Sequence, residues 1–212
     1  MRTDRLDRIT DGGVIAILRG VNTADAVAVA DAVVDAGVTA LEITADTPNS
    51  MSSIEAISDR VDDALVGAGT VLDAETARAA QLAGAEFLVT PTVNRNVIRT
   101  ANRYGTPIAV GAYTPTEALE AYQAGADAVK VFPAKTGGPD HVAAIGGPLP
   151  QIPLVPTGGV SAENAGAYVR AGAVAVGVGG SIVDHEAIDD DAYDQVEANA
   201  RAVVEAVSAA RD

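Results

Sequence analysis

The sequence of 212 residues has no cysteine, no tryptophan, two phenylalanines, two histidines and only two lysines. Each scarcity excludes something. Without cysteine there are no disulfides, no thiolate metal ligands and no cysteine nucleophile. His141 and His185 are far apart and match no ligand spacing. No metal site is therefore expected, and both read as ordinary surface or loop residues. With aromatics at 3%, packing must fall to Ala, Val, Ile and Leu. No apolar run approaches the roughly 18 residues that cross a bilayer. The opening MRTDRLDRITDGG is charged and lacks the apolar centre of a secretory signal. These absences make the cytoplasm the expected location.

Positive charge is scarce as well. Twenty-nine acids face fourteen bases, for a formal net charge of −15. Such a surface repels nucleic acid and anionic membranes, so neither is an expected partner. Self-repulsion on this scale opposes compaction in dilute buffer. At about 1 M salt the screening length falls to about 3 Å and most of the penalty goes. The acid-rich, lysine-poor composition resembles that of proteins from salt-accumulating halophiles.

What the chain does have is alternation. Eight short β-rich runs stand at VIAIL 14–18, ALEIT 40–44, ALVGAGT 64–70, EFLVT 86–90, PIAVG 107–111, AVKVF 128–132, PLVPT 153–157 and AVAVG 173–177. Ala-rich stretches long enough for a crossover helix, and too long for a hairpin, separate them. Glycine closes a helix-end pattern at Gly37, Gly84, Gly125 and Gly172, where a left-handed residue is needed. Thr114-Pro115-Thr116-Glu117 reads as a capping box. Eight such units predict an α/β chain of one domain, 1–212. Its expected form is a closed (β/α)8 TIM barrel with an extra N-terminal helix over 2–10; a doubly wound open sheet is the alternative. Barrel chemistry sits where strands end, so function is to be read there.

Both lysines, Lys130 and Lys135, fall in GADAVKVFPAK. Side-chain alternation puts Val129 and Val131 toward the helices and sends Ala128, Lys130 and Phe132 into the barrel. The same parity turns Ala40, Glu42 and Thr44 of the second strand inward. Two even-numbered strands can furnish one interior layer, so Glu42 and Lys130 are expected to face a common space. A bare structural ion pair is one reading, though buried pairs are poor stabilisers. The other is catalytic. A lysine out of water is more readily held as the neutral amine that attacks a carbonyl, and an adjacent carboxylate can move protons. Lys135 reads as a rim charge.

The seventh and eighth strands end in TGGV and GVGGS. Glycine pairs there let backbone N–H groups approach an anion, with a following helix N-terminus to help, and Ser181 can add a hydroxyl. Arg19 closes the first strand in ILRG, its fork suited to carboxylate or phosphate.

Through IAILRG, GVTALEIT, VGAGTVL, VTPTVN, VKVFPA, PTGGVS and VGVGGS, the chain resembles, nearly end to end, the 2-keto-3-deoxy-6-phosphogluconate aldolase family of the Schiff-base type. The resemblance implies a (β/α)8 barrel, a homotrimer, no cofactor and no metal. It also implies cleavage of a phosphorylated keto sugar acid to pyruvate and glyceraldehyde 3-phosphate. By position, Lys130 corresponds to the Schiff-base lysine and Glu42 to the acid/base. Thr70 and Pro91 fall at the pyruvate end. Thr157, Gly158, Gly159, Gly179, Gly180 and Ser181 fall at the substrate's polar groups and phosphate. One departure stands out: gluconate-specific members often carry arginine where this chain has Asp46, in EITADTP. An acid there cannot bind a carboxylate, so Arg19 or backbone N–H groups must. The C4 epimer preference therefore stays open. A phosphate-binding isomerase and a non-catalytic sugar-phosphate sensor are the rival functions.

Overall fold

The computed structural model describes residues 2–212; Met1 of the expected 1–212 domain lies outside the described residues. The chain begins with α1 (Arg2–Gly12), and eight strands then alternate with helices. These are β1 (Val14–Leu18), α2 (Ala26–Asp35), β2 (Ala40–Thr44), α3 (Ser50–Arg60), β3 (Leu65–Gly69) and α4 (Ala74–Leu82). Then come β4 (Phe87–Thr90), α5 (Arg95–Arg103), β5 (Ile108–Ala112), α6 (Pro115–Gln123), β6 (Ala128–Val131) and α7 (Ala134–Gly146). The chain finishes with β7 (Leu154–Pro156), α8 (Ala165–Arg170), β8 (Val176–Val178), α9 (His185–Asp189) and α10 (Tyr193–Arg211).

All strand pairs are parallel, in the order β7-β6-β5-β4-β3-β2-β1-β8. A parallel bridge between Thr157 and Gly177 closes the ring. The barrel is therefore closed, not an open sheet. Its seam is tight, because a side chain at Gly177 would overlap Thr157. The last strand lies later than the 173–177 run, at Val176–Val178. Ala173 N–H is held by Tyr168 O in the turn closing α8, and pairing with β1 starts only at Val14↔Val176.

The helix-end glycines Gly37, Gly84, Gly125 and Gly172 all have φ between 95 and 109°, the conformation that a Cβ disfavours. The capping box forms as expected: Thr114 Oγ1 accepts from Glu117 N–H, and Glu117 accepts from Thr114 N–H at 2.8 Å. Leu41, Ile43, Val129 and Val131 are buried among the surrounding helices. Each contributes about 1.5–3 kcal/mol of apolar burial. Ile15, Leu65, Phe87, Val89 and Val155 fill the interior, plugged below by Ile9 of α1. Gly67 is needed there, since a methyl would enter the Phe87 ring.

Candidate active site

Strand parity turns Glu42 and Lys130 into the lumen, 2% and 5% exposed. Lys130 Nζ lies 3.7 Å from Glu42 Oε1 and 5.3 Å from the centre of the Phe132 ring. The first distance is that of an ion pair without a hydrogen bond, and Glu42 Oε1 is buried with no hydrogen-bond partner among the described residues. Leaving such an atom unsatisfied costs about 1–3 kcal/mol, more for a charged group. The arrangement is thus a poor device for stability. Gly69 makes it possible, because a side chain at that position would overlap the Glu42 carboxylate.

Above the pair opens a cleft of about 590 Å³, within the range of small-molecule sites. It is lined by Arg19, Thr70 and Pro91, by Lys130 and Phe132, by Thr157, Gly158 and Gly159, and by Gly179, Gly180 and Ser181. Every candidate cleft residue from the sequence thus gathers here, with Glu42 reached through Lys130. Lys135 is an exposed residue beside the mouth, its stem packed on Gly159. His141 is more engaged than a plain surface residue: it stacks on Tyr113 at 4.5 Å, and its Nε2 lies 2.7 Å from Tyr113 O.

The β7 and β8 loops differ in one respect from expectation. No long helix follows either glycine pair directly. Gly158 and Gly159, at φ 90 and 81°, lead into a turn in which Asn164 accepts from Ser161 N–H and donates to Gly159 O, and α8 starts only at Ala165. After β8, the Ile182 and Val183 N–H groups both return to Gly179 O. The N–H groups of Gly159, Gly180 and Ser181 have no internal acceptor among the described residues. The free N–H groups at the cleft mouth thus belong to loops and not to a helix end. Ser181 Oγ donates to Val160 O at 3.1 Å, leaving its lone pairs free.

The pairing of Arg19 with Asp46 went unforeseen. The guanidinium binds Asp46 through Nη1 and donates from Nη2 to Thr70 Oγ1 at 2.8 Å. Partial burial, the largest influence on Asp46, pushes its carboxyl up, but the Thr44 hydroxyl and the Arg19 charge outweigh it and leave it below its ordinary range. The signal was present in the sequence, as opposite charges just past the ends of adjacent strands whose register pairs Leu18 with Ile43. Thr70 has φ 55°, a conformation that costs a β-branched residue of order 1–3 kcal/mol.

A second cavity, of about 100 Å³, lies under the barrel between α1 and the strand starts. It is lined by apolar side chains such as Leu6, Ile9 and Phe87. Its one carboxylate, Asp127, is held by Arg2 and the Ile108 N–H. The buried lysine and glutamate lie under the upper cleft, not beside this cavity.

Fold and cleft together define a (β/α)8-barrel enzyme. Comparison with known proteins narrows this. The sequence pattern of the family described as KDPG and KHG aldolase matches residues 6–199. The chain is 42% identical over 170 residues to the 2-dehydro-3-deoxy-6-phosphogalactonate aldolase of Escherichia coli, covering 79% of this chain and 83% of that one. It is 34% identical over 206 residues to the 2-dehydro-3-deoxy-phosphogluconate aldolase of Pseudomonas aeruginosa, covering 96% and 94%. A crystal structure of the KDPG aldolase of Legionella pneumophila, with pyruvate captured as a covalent carbinolamine, superposes with a TM-score of 0.88 at 29% identity, covering 96% of this chain and 99% of that one. The chain belongs to the KDPG and KHG aldolase family and is a carbon–carbon lyase.

Proposed function

We propose that the chain is a Schiff-base aldolase that cleaves 2-keto-3-deoxy-6-phosphogluconate to pyruvate and glyceraldehyde 3-phosphate. The observation carrying this reading is a nearly buried amine 3.7 Å from a carboxylate oxygen with no other partner, under an open cleft. Glu42 takes a proton from the Lys130 ammonium, and the freed amine adds to the C2 ketone to give a carbinolamine. Loss of water, with Glu42 delivering the proton, leaves a protonated imine. Glu42 then takes the C4 hydroxyl proton, the C3–C4 bond breaks, and its electron pair flows into the imine to form an enamine. Glyceraldehyde 3-phosphate departs, C3 is reprotonated, and water releases pyruvate and the free amine. Each step needs one proton shuttle beside the nitrogen, a task suited to a single carboxylate.

Arg19 reads the substrate carboxylate, with Thr70 and Pro91 around the pyruvate portion and Phe132 along the chain. Thr157 and Gly158 meet the middle hydroxyls. The free amides of Gly159, Gly180 and Ser181, beside Gly179, take the phosphate. No step requires a metal or organic cofactor. The chain also works as a homotrimer in the cytoplasm of a salt-accumulating cell, the last suggested by its net charge of −15.

A second reading, the C4-epimeric galactonate substrate or use of both, is favoured by the 42% identity to the phosphogalactonate enzyme. The deciding experiment is turnover of both epimers in high salt, with pyruvate release followed for wild type and Lys130→Ala. Release that depends on Lys130 is expected, with the ratio of the two rates fixing the preference. An alanine variant as active as wild type would sink the imine mechanism, and a wild type that binds the substrate without turnover would point to a sensor.

A further inference from the structure

Asp46 stands where a substrate-facing arginine would be useful, yet its carboxylate faces Arg19. We propose that Asp46 is a positioning residue, which with Thr70 pre-sets the Arg19 guanidinium for the carboxylate of the keto acid. The proposal rests on the aldolase reading above.

The construction spans three adjacent strands. Thr44, fully buried in β2, lies 2.9 Å from Thr47 Oγ1. Thr47 Oγ1 accepts the N–H of Gly20, the residue after Arg19, at 3.0 Å. This pair of threonines, from the strand and loop that also carry Asp46, therefore holds the backbone next to the arginine. From the other side, Thr70 offers its hydroxyl to Nη2 from a left-handed backbone position that threonine avoids. With Nη1 on Asp46 and Nη2 on Thr70, the guanidinium plane is held from two sides. Nε–H and the second hydrogens of both terminal nitrogens have no internal acceptor among the described residues. They stay available to a ligand in the cleft that Arg19 lines.

Charge alone argues against an acid here. A carboxylate beside the arginine weakens its pull on an anion, so Asp46 must give back more through orientation than it removes by neutralisation. An arginine loses much side-chain freedom when it grips a ligand, and one already held loses less on binding. The two effects predict opposite signs, which makes the proposal testable.

The experiment is borohydride trapping of pyruvate on the full chain in high salt, as a function of pyruvate concentration, with hydroxyacetone as a ketone lacking the carboxylate. For Asp46→Ala the half-saturating pyruvate concentration should rise about tenfold, with the limiting rate unchanged, because a pre-oriented charge-assisted contact is lost. Asp46→Asn keeps an acceptor for Nη1 and should stay within about threefold of wild type. Hydroxyacetone trapping should be alike in all. Asp46→Ser, too short to reach the guanidinium, carries the same expectation as alanine and serves if alanine does not fold. A half-saturating value equal to or below wild type in the alanine or serine variant overturns the proposal. So does an equal loss with hydroxyacetone, which would mean a general structural role. Wild type left unlabelled by pyruvate would instead sink the aldolase reading itself.

Discussion

Replacing the buried pair by apolar residues of similar volume, Glu42→Leu with Lys130→Met, should abolish turnover and raise stability. The ions lie 3.7 Å apart, which at an effective dielectric near 20 is an attraction of about 4 kcal/mol. Against it stand several kcal/mol of desolvation for each ion. Glu42 Oε1 has no hydrogen bond among the described residues to offset that cost. The pair is a net burden, and the double variant should gain about 1–4 kcal/mol. For a chain of this length that corresponds to a rise of roughly 2–4 °C in Tm for each kcal/mol. Lys130→Met alone leaves a lone buried carboxylate and should lose about 3–5 kcal/mol. The assay is urea unfolding of wild type, both single variants and the double variant in high salt, with pyruvate release measured on each. A double variant as unstable as the worse single one would refute the reasoning. The pair would then be part of what holds the barrel together, and no argument for catalysis could be drawn from its poor geometry.

Three further expectations concern separate parts of the chain. Gly69→Ala pushes a methyl into the Glu42 carboxylate; kcat should fall about 10²-fold or more as the proton shuttle is displaced, while overpacking costs about 1–3 kcal/mol of stability, and an unchanged kcat would contradict the assigned contact. The Tyr113 N–H, the Thr114 N–H and the Thr114 hydroxyl, in that order, hold the Glu117 carboxyl below its ordinary value of 4.5. A depressed carboxylate stabilises above its unfolded value and loses that contribution as pH falls through its folded one. Glu117→Gln should therefore cost stability at neutral pH, under about 1 kcal/mol for so exposed a cap, and progressively less as pH falls through the folded value; unfolding curves at neutral and acid pH decide. Most carboxylates have no basic partner among the described residues, so Tm should rise from about 0.1 to 3 M salt as repulsion is screened, and a flat dependence would contradict that view.

The barrel was legible because its strands are short and their parity unambiguous. In ALEIT, Leu41 and Ile43 share one face and pack under the helices, which leaves Glu42 on the inward face. In AVKVF, Val129 and Val131 do the same for Lys130. Local rules also sufficed for the αL glycines and the capping box, whose geometry needs no distant partner. The last strand starts later than the AVAVG run, which satisfies the alternation wherever pairing begins. Only the turn after Gly172 and the register with β1 decide where pairing begins. The free loop amides near the cleft mouth depend on where α8 and α9 begin, which Gly-Gly pairs alone do not specify. The Arg19–Asp46 contact required strand register as well as position, and a sequence presents Asp46 only as a missing arginine.

The most direct measurement of the central claim is mass-spectrometric location of the adduct formed when the protein is reduced with borohydride in the presence of pyruvate. With two lysines in the chain the result is unambiguous. A carboxyethyl group on Lys130, accompanied by loss of turnover, is predicted. Modification confined to Lys135, or an unmodified protein that still turns over substrate, would contradict it.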